Sequence, residues 1–322
     1  MGSMPKVVVT RKLPETIEAR LRRDYVPLFN TDDHVYSTDE LIDLADGAGA
    51  LLPCHSEHLD AAAIARLPGS IKAIANFSVG VDHVDLEAAK SRSIIVTDTP
   101  DVLSDAAAEI ALLLMLGAAR RAAGGDRLIR ARQWRLWSPA VMGGTQITGK
   151  TLGVIGMGRV GQVTARRARG FDMGIHYHNR RRVPAEVEQG AVYHERLETL
   201  LAACDVLSLH CPATPATRNL LDAERIRLLR PGAIVVNSAR GALIDDEGPC
   251  RRRCARATWR RPVSTSSTAN RISTRATGNS TTLSCCRISA ALPAKLVTPW
   301  VSGLWIIWTR FPPAGSRGDR VA

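Results

Sequence analysis

At 322 residues the chain is long enough for two domains, each burying its own core. No apolar run reaches the length of a membrane span, and seven cysteines without a secreted disulfide pattern point to a reducing, cytoplasmic setting. The net charge of +12 suggests a nucleic-acid partner, but residues 249–322 carry all of it, with twelve arginines and Lys295 against the single acid Asp319. Residues 1–248 are therefore neutral, and neither a membrane nor a nucleic acid is expected as partner.

Met1-Gly2-Ser3 ahead of Met4 reads as a cloning scar. Beyond it, short β-rich runs alternate with helical patterns. Strands are predicted at Lys6–Thr10, Ala50–Leu52, Ile71–Phe77 and Ile94–Thr97, and helices at Pro14–Arg23 and Thr38–Leu44, whose first turns are acidic. Asp105–Arg121, rich in Ala and Leu on most sides, predicts a helix buried between domains or subunits. An irregular arm, Gly124–Gly144, follows with Trp134 and Trp137. Alternation then resumes: strands at Thr151–Ile155, Gly174–His178, Val206–Leu209 and Ala233–Asn237, helices at Val160–Arg169, Leu197–Ala203 and Ala223–Leu229. Such a βαβ series builds a parallel, doubly wound sheet.

Gly156-Met157-Gly158-Arg159-Val160-Gly161 lies between the strand Leu152–Ile155 and a helix. A glycine pattern alone is weak, but this placement is the dinucleotide fingerprint. Gly156 permits the tight turn, Gly158 lets backbone approach a pyrophosphate, and Gly161 lets helix and strand pack closely. Arg159 and Val160 open the helix, whose free N–H groups and dipole favour phosphates. NAD sites expect an acid about twenty residues later for the ribose 2′-OH. Here Asn179-Arg180-Arg181-Arg182 follows the strand Gly174–His178, and arginine suits a 2′-phosphate. NADP is thus the expected cofactor, with NAD the alternative and a solvated basic turn the bland reading.

Five stretches, in order, carry a resemblance: Asn76–Asp82, Thr97–Asp101, Gly149–Gly156, Leu209–Pro212 and Val236–Gly241. With them the sequence resembles the D-isomer-specific 2-hydroxyacid dehydrogenases, in particular their glyoxylate/hydroxypyruvate reductase branch, from residue 4 to about 247. The resemblance implies an α/β fold of two doubly wound, Rossmann-like parallel-sheet domains with the active site in the cleft between them. The substrate-binding, flavodoxin-like domain would span 4–101 and the dinucleotide-binding domain 102–285, with 286–322 returning to the first. It implies that backbone amides at Val79 and Gly80 hold the substrate carboxylate. Arg240 would be catalytic, binding the carboxylate and polarising the keto group, a task for a rigid bidentate donor. Cys211, Pro212, Ser238 and Ala239 would line the nicotinamide site. It also implies a homodimer, with Trp134 and Trp137 in the interface arm or closing over substrate.

Reducing a 2-keto acid needs a proton donor, for which this family uses a histidine paired with a glutamate beyond the arginine. The chain has no histidine after His210 and no glutamate after Glu247. Its tail lacks sustained periodicity, so a solvated tail, a nucleic-acid arm and a wrong reading frame are the candidates. Codons can be chosen for Cys285–Lys295 so that reading one base earlier gives Leu-Leu-Pro-His-Ile-Gly-Ser-Ala-Thr-Arg-Glu, the family's histidine motif. The same shift converts Trp259–Asn270 to Leu-Ala-Ala-Ala-Gly-Leu-Asp-Val-Phe-His-Gly-Glu, which bears the glutamate, and Leu296–Phe311 to an acidic amphipathic helix. Three family segments in one shifted frame indicate a frameshift near Gly248, with the original frame restored near Gly318.

His176, His178 and His210 read as structural, although His210 lies close to the expected site. Cys250, Cys254, Cys285 and Cys286 lack a metal-binding spacing, and no metal is expected. The expected function is NADPH-dependent reduction of glyoxylate, hydroxypyruvate or a related small 2-keto acid. A non-catalytic dinucleotide-binding regulator is the alternative if the tail is real, and a nucleic-acid binder a weaker third, since few aromatics are interleaved with the arginines.

Overall fold

A computed structural model describes residues 4–100, 102–134 and 143–245, together with the strand Val263–Ser264. The chain divides into two compact units, with the break between Leu103 and Ser104.

The first unit is a five-stranded, all-parallel sheet of β1 (Lys6–Val9), β2 (Val26–Leu28), β3 (Ala50–Leu52), β4 (Ala73–Ala75) and β5 (Ile95–Thr97), in the order β2-β1-β3-β4-β5. Helices α1 (Glu15–Asp24), α2 (Thr38–Leu44), α3 (Ala61–Arg66) and α4 (Leu86–Ser91) connect the strands. Side chains alternate across the sheet as period 2 requires. Val8, Leu51 and Ile74 enter one core; Val7, Val9, Ala50, Leu52 and Ala73 enter the other. Caps fix where the helices begin. Ser37 and Glu40 form a reciprocal capping box on α2, while Asp60 and Asp85 cap α3 and α4.

The second unit opens with α5 (Ser104–Ala119) and α6 (Ala122–Arg130). Its sheet contains β6 (Thr151–Ile155), β7 (Gly174–His178), β8 (Val192–Tyr193), β9 (Val206–Leu209), β10 (Ile234–Asn237) and β11 (Val263–Ser264). All pairings are parallel, in the order β11-β10-β9-β6-β7-β8. This is the order of a dinucleotide-binding sheet, whose direction of winding reverses between β6 and β9. Helices α7 (Arg159–Arg169), α8 (Ala185–Glu188), α9 (Leu197–Ala203) and α10 (Ala223–Leu228) complete the winding. One face packs Leu152, Val154, Ile234 and Val236 against α5 and α7; the other packs Leu207, Leu209 and Val235 against α9 and α10.

The long apolar helix is found where expected, and one expectation changes. The apolar helix predicted at Asp105–Arg121 is α5, and it covers the sheet of the second unit. Ala108, Ala111, Leu114 and Met115 are buried, and the helix contacts α7 and β10. The irregular arm is partly helical, since α6 occupies Ala122–Arg130 and buries none of its residues. Trp134 is 43% exposed, whereas Trp137 lies outside the described residues. Among the described residues no helix is long and apolar enough to cross a membrane.

Candidate dinucleotide site

The strand β6 ends in Gly156, whose φ of 96° puts it in the left-handed region that glycine tolerates best. A Cβ there would stand 2.7 Å from the Cys211 nitrogen, so the turn also needs glycine for space. A Cβ on Gly161 would overlap the Gly156 carbonyl oxygen. Gly161 therefore serves close packing of helix on strand. A Cβ on Gly158 meets nothing within 4 Å, so that glycine leaves open space in front of α7. Among the described residues no partner is present for the N–H groups of Val160 and Gly161, as the first turn of a helix dictates.

These roles separate experimentally. Gly161→Ala is expected to lose about 1–3 kcal/mol of stability or more through overpacking, read in a denaturant melt. Gly158→Ala is expected to melt like the parent but bind dinucleotide less well, because its methyl fills the approach to the helix N-terminus. Equal destabilisation by the two variants would contradict this division.

A cavity of about 710 Å³ opens at the C-terminal ends of β6, β7 and β9. It brings together Gly156, Gly158, Asn179, Arg180, Arg181, Cys211 and Pro212 of the expected site, and adds His178, His210, Thr214 and Thr217. Arg159, Val160, Gly161, Ser238, Ala239 and Arg240 do not line it, nor do Val79 and Gly80 of the first unit.

The basic turn after β7 is not uniform. Asn179 accepts the Met157 N–H on Oδ1 at 2.7 Å, which ties the turn to the glycine loop. Arg182 is committed to Glu188 through Nε and Nη2 at 2.7 and 2.9 Å. That pairing, with the Tyr177 hydroxyl, holds the Glu188 carboxyl at about 2. Arg180 and Arg181 have no such partner among the described residues and face the cavity.

The histidines fall into two groups. Thr199 Oγ1 donates to the Arg196 carbonyl, so it must accept from His194 Nδ1. His194 Nε2 then accepts from His176 Nδ1 at 2.9 Å, and His178 Nδ1 donates to the His194 carbonyl. This chain fixes the tautomers of His176, His178 and His194. Burial lowers the pKa of His176 and His194; the neighbouring imidazoles His194 and His178, respectively, lower it further. His210 lines the cavity with Nε2 at 2.8 Å from Ser208 Oγ, and burial pushes it down to about 4. It is neutral at neutral pH and has no imidazolium proton to give.

Arg240 sits in the turn after β10. Buried Asn237 braces that turn, accepting from the Ala239 N–H at 3.0 Å and donating to the Arg240 carbonyl at 2.8 Å. The sequence reading missed this brace, and the motif around Arg240 was its only signal. In the first unit, Val79 and Gly80 lie in the loop after β4. Gly80 N–H reaches Ser78 Oγ at 3.3 Å, and the Val79 N–H has no partner among the described residues.

Comparison with known proteins agrees with this architecture. Residues 112–248 match the family described as "D-isomer specific 2-hydroxyacid dehydrogenase, NAD binding domain". A glycerate dehydrogenase of Hyphomicrobium methylovorum is 42% identical over 247 residues, covering 76% of this chain and 77% of that protein. The chain belongs to the D-isomer-specific 2-hydroxyacid dehydrogenases. It is thus a member of a family of NAD(P)-dependent oxidoreductases. A glyoxylate reductase of Thermococcus onnurineus is 38% identical over 76% of this chain and 74% of its own. A solved structure from Thermus thermophilus is 38% identical, with a TM-score of 0.72 and 83% of each chain covered. That of a glyoxylate reductase from Paecilomyes thermophila shares the fold at 24% identity, with a TM-score of 0.82 over 100% of this chain and 99% of that one.

The family's dinucleotide fits the residues present. Gly158 leaves space beside the unpartnered amides of α7, and the adjoining cavity carries two uncommitted guanidinium groups. Among the described residues no group of three metal-ligating side chains occurs. The tail, with Cys250, Cys254, Cys285 and Cys286, and Asp101 lie outside the described residues.

Proposed function

We propose that this chain encodes an NADPH-dependent reductase of a small 2-keto acid, glyoxylate or hydroxypyruvate, giving the D-2-hydroxy acid. The observation that carries the cofactor choice is Arg180 and Arg181 facing the cavity uncommitted, with no acid at the end of β7. A planar guanidinium matches a phosphate dianion in geometry and charge. The glyoxylate reductase and glycerate dehydrogenase names of the relatives support the substrate class.

On this reading the amides of Val160 and Gly161 meet the pyrophosphate, with Gly156, Gly158 and Arg159 shaping its approach. Arg180 and Arg181 take the 2′-phosphate while Asn179 holds their turn. Cys211, Pro212, Ser238 and Ala239 border the nicotinamide, which when bound supplies the hydride. Val79 and Gly80 amides hold the substrate carboxylate. Arg240 binds the same group and draws charge onto the keto oxygen, which needs a donor charged at every working pH. The domain limits follow as 4–101 and 102–285, with 286–322 completing the first. The exposed α6 and Trp134 support pairing with a second copy of the chain.

The proton donor is absent from the sequence as read, and we place it in the shifted frame beyond Gly248. NADPH consumption, measured with glyoxylate and with hydroxypyruvate and repeated with NADH, tests the reading. Turnover that depends on the keto acid and favours NADPH is expected, slow in the chain as it stands. Preference for NADH, or oxidation indifferent to keto acid, would contradict it.

A further inference from the structure

The loop from Asn76 to His83 carries Val79 and Gly80, and its conformation hangs on one buried amide. Asn76 is fully buried just past β4, and its own N–H donates to the Thr97 carbonyl at 2.9 Å. Its side chain turns along the loop. Nδ2 donates to the Gly80 carbonyl at 2.9 Å and reaches the Ser78 carbonyl at 3.4 Å. Because two carbonyls face Nδ2, the amide cannot be flipped, and Oδ1 must accept. The group opposite Oδ1 is Nε2 of His83, 3.0 Å away. That nitrogen must therefore carry its proton.

His83 is 7% exposed and is itself anchored by the backbone. Its carbonyl accepts from the Leu59 N–H at 2.8 Å, in a small parallel bridge between Leu59 and Val84. A second tie comes from Thr99, whose N–H and hydroxyl both meet the Ser78 carbonyl, at 3.2 and 3.3 Å. The carbonyls on either side of Val79 are thus drawn inward by buried donors. Peptide geometry ties each carbonyl to the following N–H, which points the opposite way, so holding the Ser78 carbonyl inward turns the Val79 N–H outward. That N–H is the one without a partner among the described residues.

We propose that Asn76 and His83 are positioning residues that hold the Ser78–Gly80 loop with the Val79 amide directed outward, ready for a carboxylate. This rests on the reading that Val79 and Gly80 bind the substrate carboxylate, and it deepens that reading by naming what pre-organises them. A carboxylate held by backbone amides gains most when the amides need not reorganise on binding.

Hydrogen exchange of the full-length chain, resolved at the 76–84 segment, tests the proposal without needing turnover. Asn76→Asp replaces a donor by an acceptor facing two carbonyls, and His83→Leu removes the N–H that orients the amide. Each is expected to speed exchange by about tenfold at Gly80 and Val84, whose N–H groups donate to Ser78 Oγ and to the Val81 carbonyl, while β1 and β3 exchange as in the parent. His83→Gln, which can offer an N–H in place of the imidazole, is expected to restore slow exchange. That rescue distinguishes positioning from bulk packing. If Asn76→Asp does not fold, the His83→Leu and His83→Gln pair carries the test alone. Unchanged exchange at Gly80 and Val84 in His83→Leu, or equal acceleration throughout the first unit, overturns the proposal. Oxamate, an unreactive 2-keto-acid mimic, separates the underlying reading. If oxamate fails to protect the outward Val79 amide in the parent while the variants still loosen the loop, the brace stands and carboxylate binding there falls.

Discussion

Replacing Arg180 and Arg181 together by serine is expected to weaken NADPH binding by about 10–100-fold, at roughly 1.5–3 kcal/mol for charge-assisted bonds to phosphate. NADH binding should change by no more than about threefold, since it has no 2′-phosphate for these groups to meet. The prediction is specific to this pair. Arg182, next in sequence, is spent on Glu188, so Arg182→Ser should act on stability instead, by freeing a carboxylate and the Tyr177 hydroxyl it shares. Fluorescence titration of both reduced cofactors against the three proteins checks the assignment. Equal losses for NADPH and NADH would mean that the arginines only shape the turn.

The second large effect concerns the tail. Restoring the shifted frame from the codon of Gly248 is expected to raise turnover with NADPH and keto acid by about 10²–10⁴-fold, the usual contribution of a positioned general acid. NADPH binding should persist in both proteins, because the proposed phosphate and ribose contacts all precede Gly248. The family match ends at residue 248, beyond which the sequence holds a single acid, Asp319, no histidine and no sustained periodicity. His210 does not substitute for the missing donor, because burial holds it near 4 and its Nε2 is engaged with Ser208. Intact mass of the expressed protein tells which frame was translated. Equal turnover in the two proteins would refute the frame argument and favour a dinucleotide-binding regulator if both rates are negligible.

Much of the second unit was legible because its strands and helices alternate and are closed by diagnostic turns. Gly174–His178, Leu197–Ala203 and Val206–Leu209 were read with the bounds the structure shows. What escaped was short or at an edge. Val26–Leu28 contains Pro27, which a central strand rejects but which the edge strand β2 accommodates. Two-residue β8 lies at the far edge of the other sheet and is too brief to show alternation. α3 and α4 span six residues each, too few for periodicity, although Asp60 and Asp85 before alanine-rich runs were usable signals.

The candidate site divides in the same way. The glycines were legible because each answers a local demand: a positive φ at Gly156, open space at Gly158, close packing at Gly161. The division of labour among three consecutive arginines was not, since it depends on Glu188 arriving through α8. Nor were the braces legible, Asn237 behind Arg240 and Asn76 behind Val79. A buried asparagine at or just past a strand end shows its role only once its carbonyl partners are in place.

The most direct test of the central claim is a titration of the full-length chain with NADPH and with NADH, followed by nicotinamide fluorescence. The two uncommitted arginines predict saturable binding of both, with NADPH tighter by at least about tenfold. Tighter binding of NADH, or no saturable binding of either cofactor, would contradict the account.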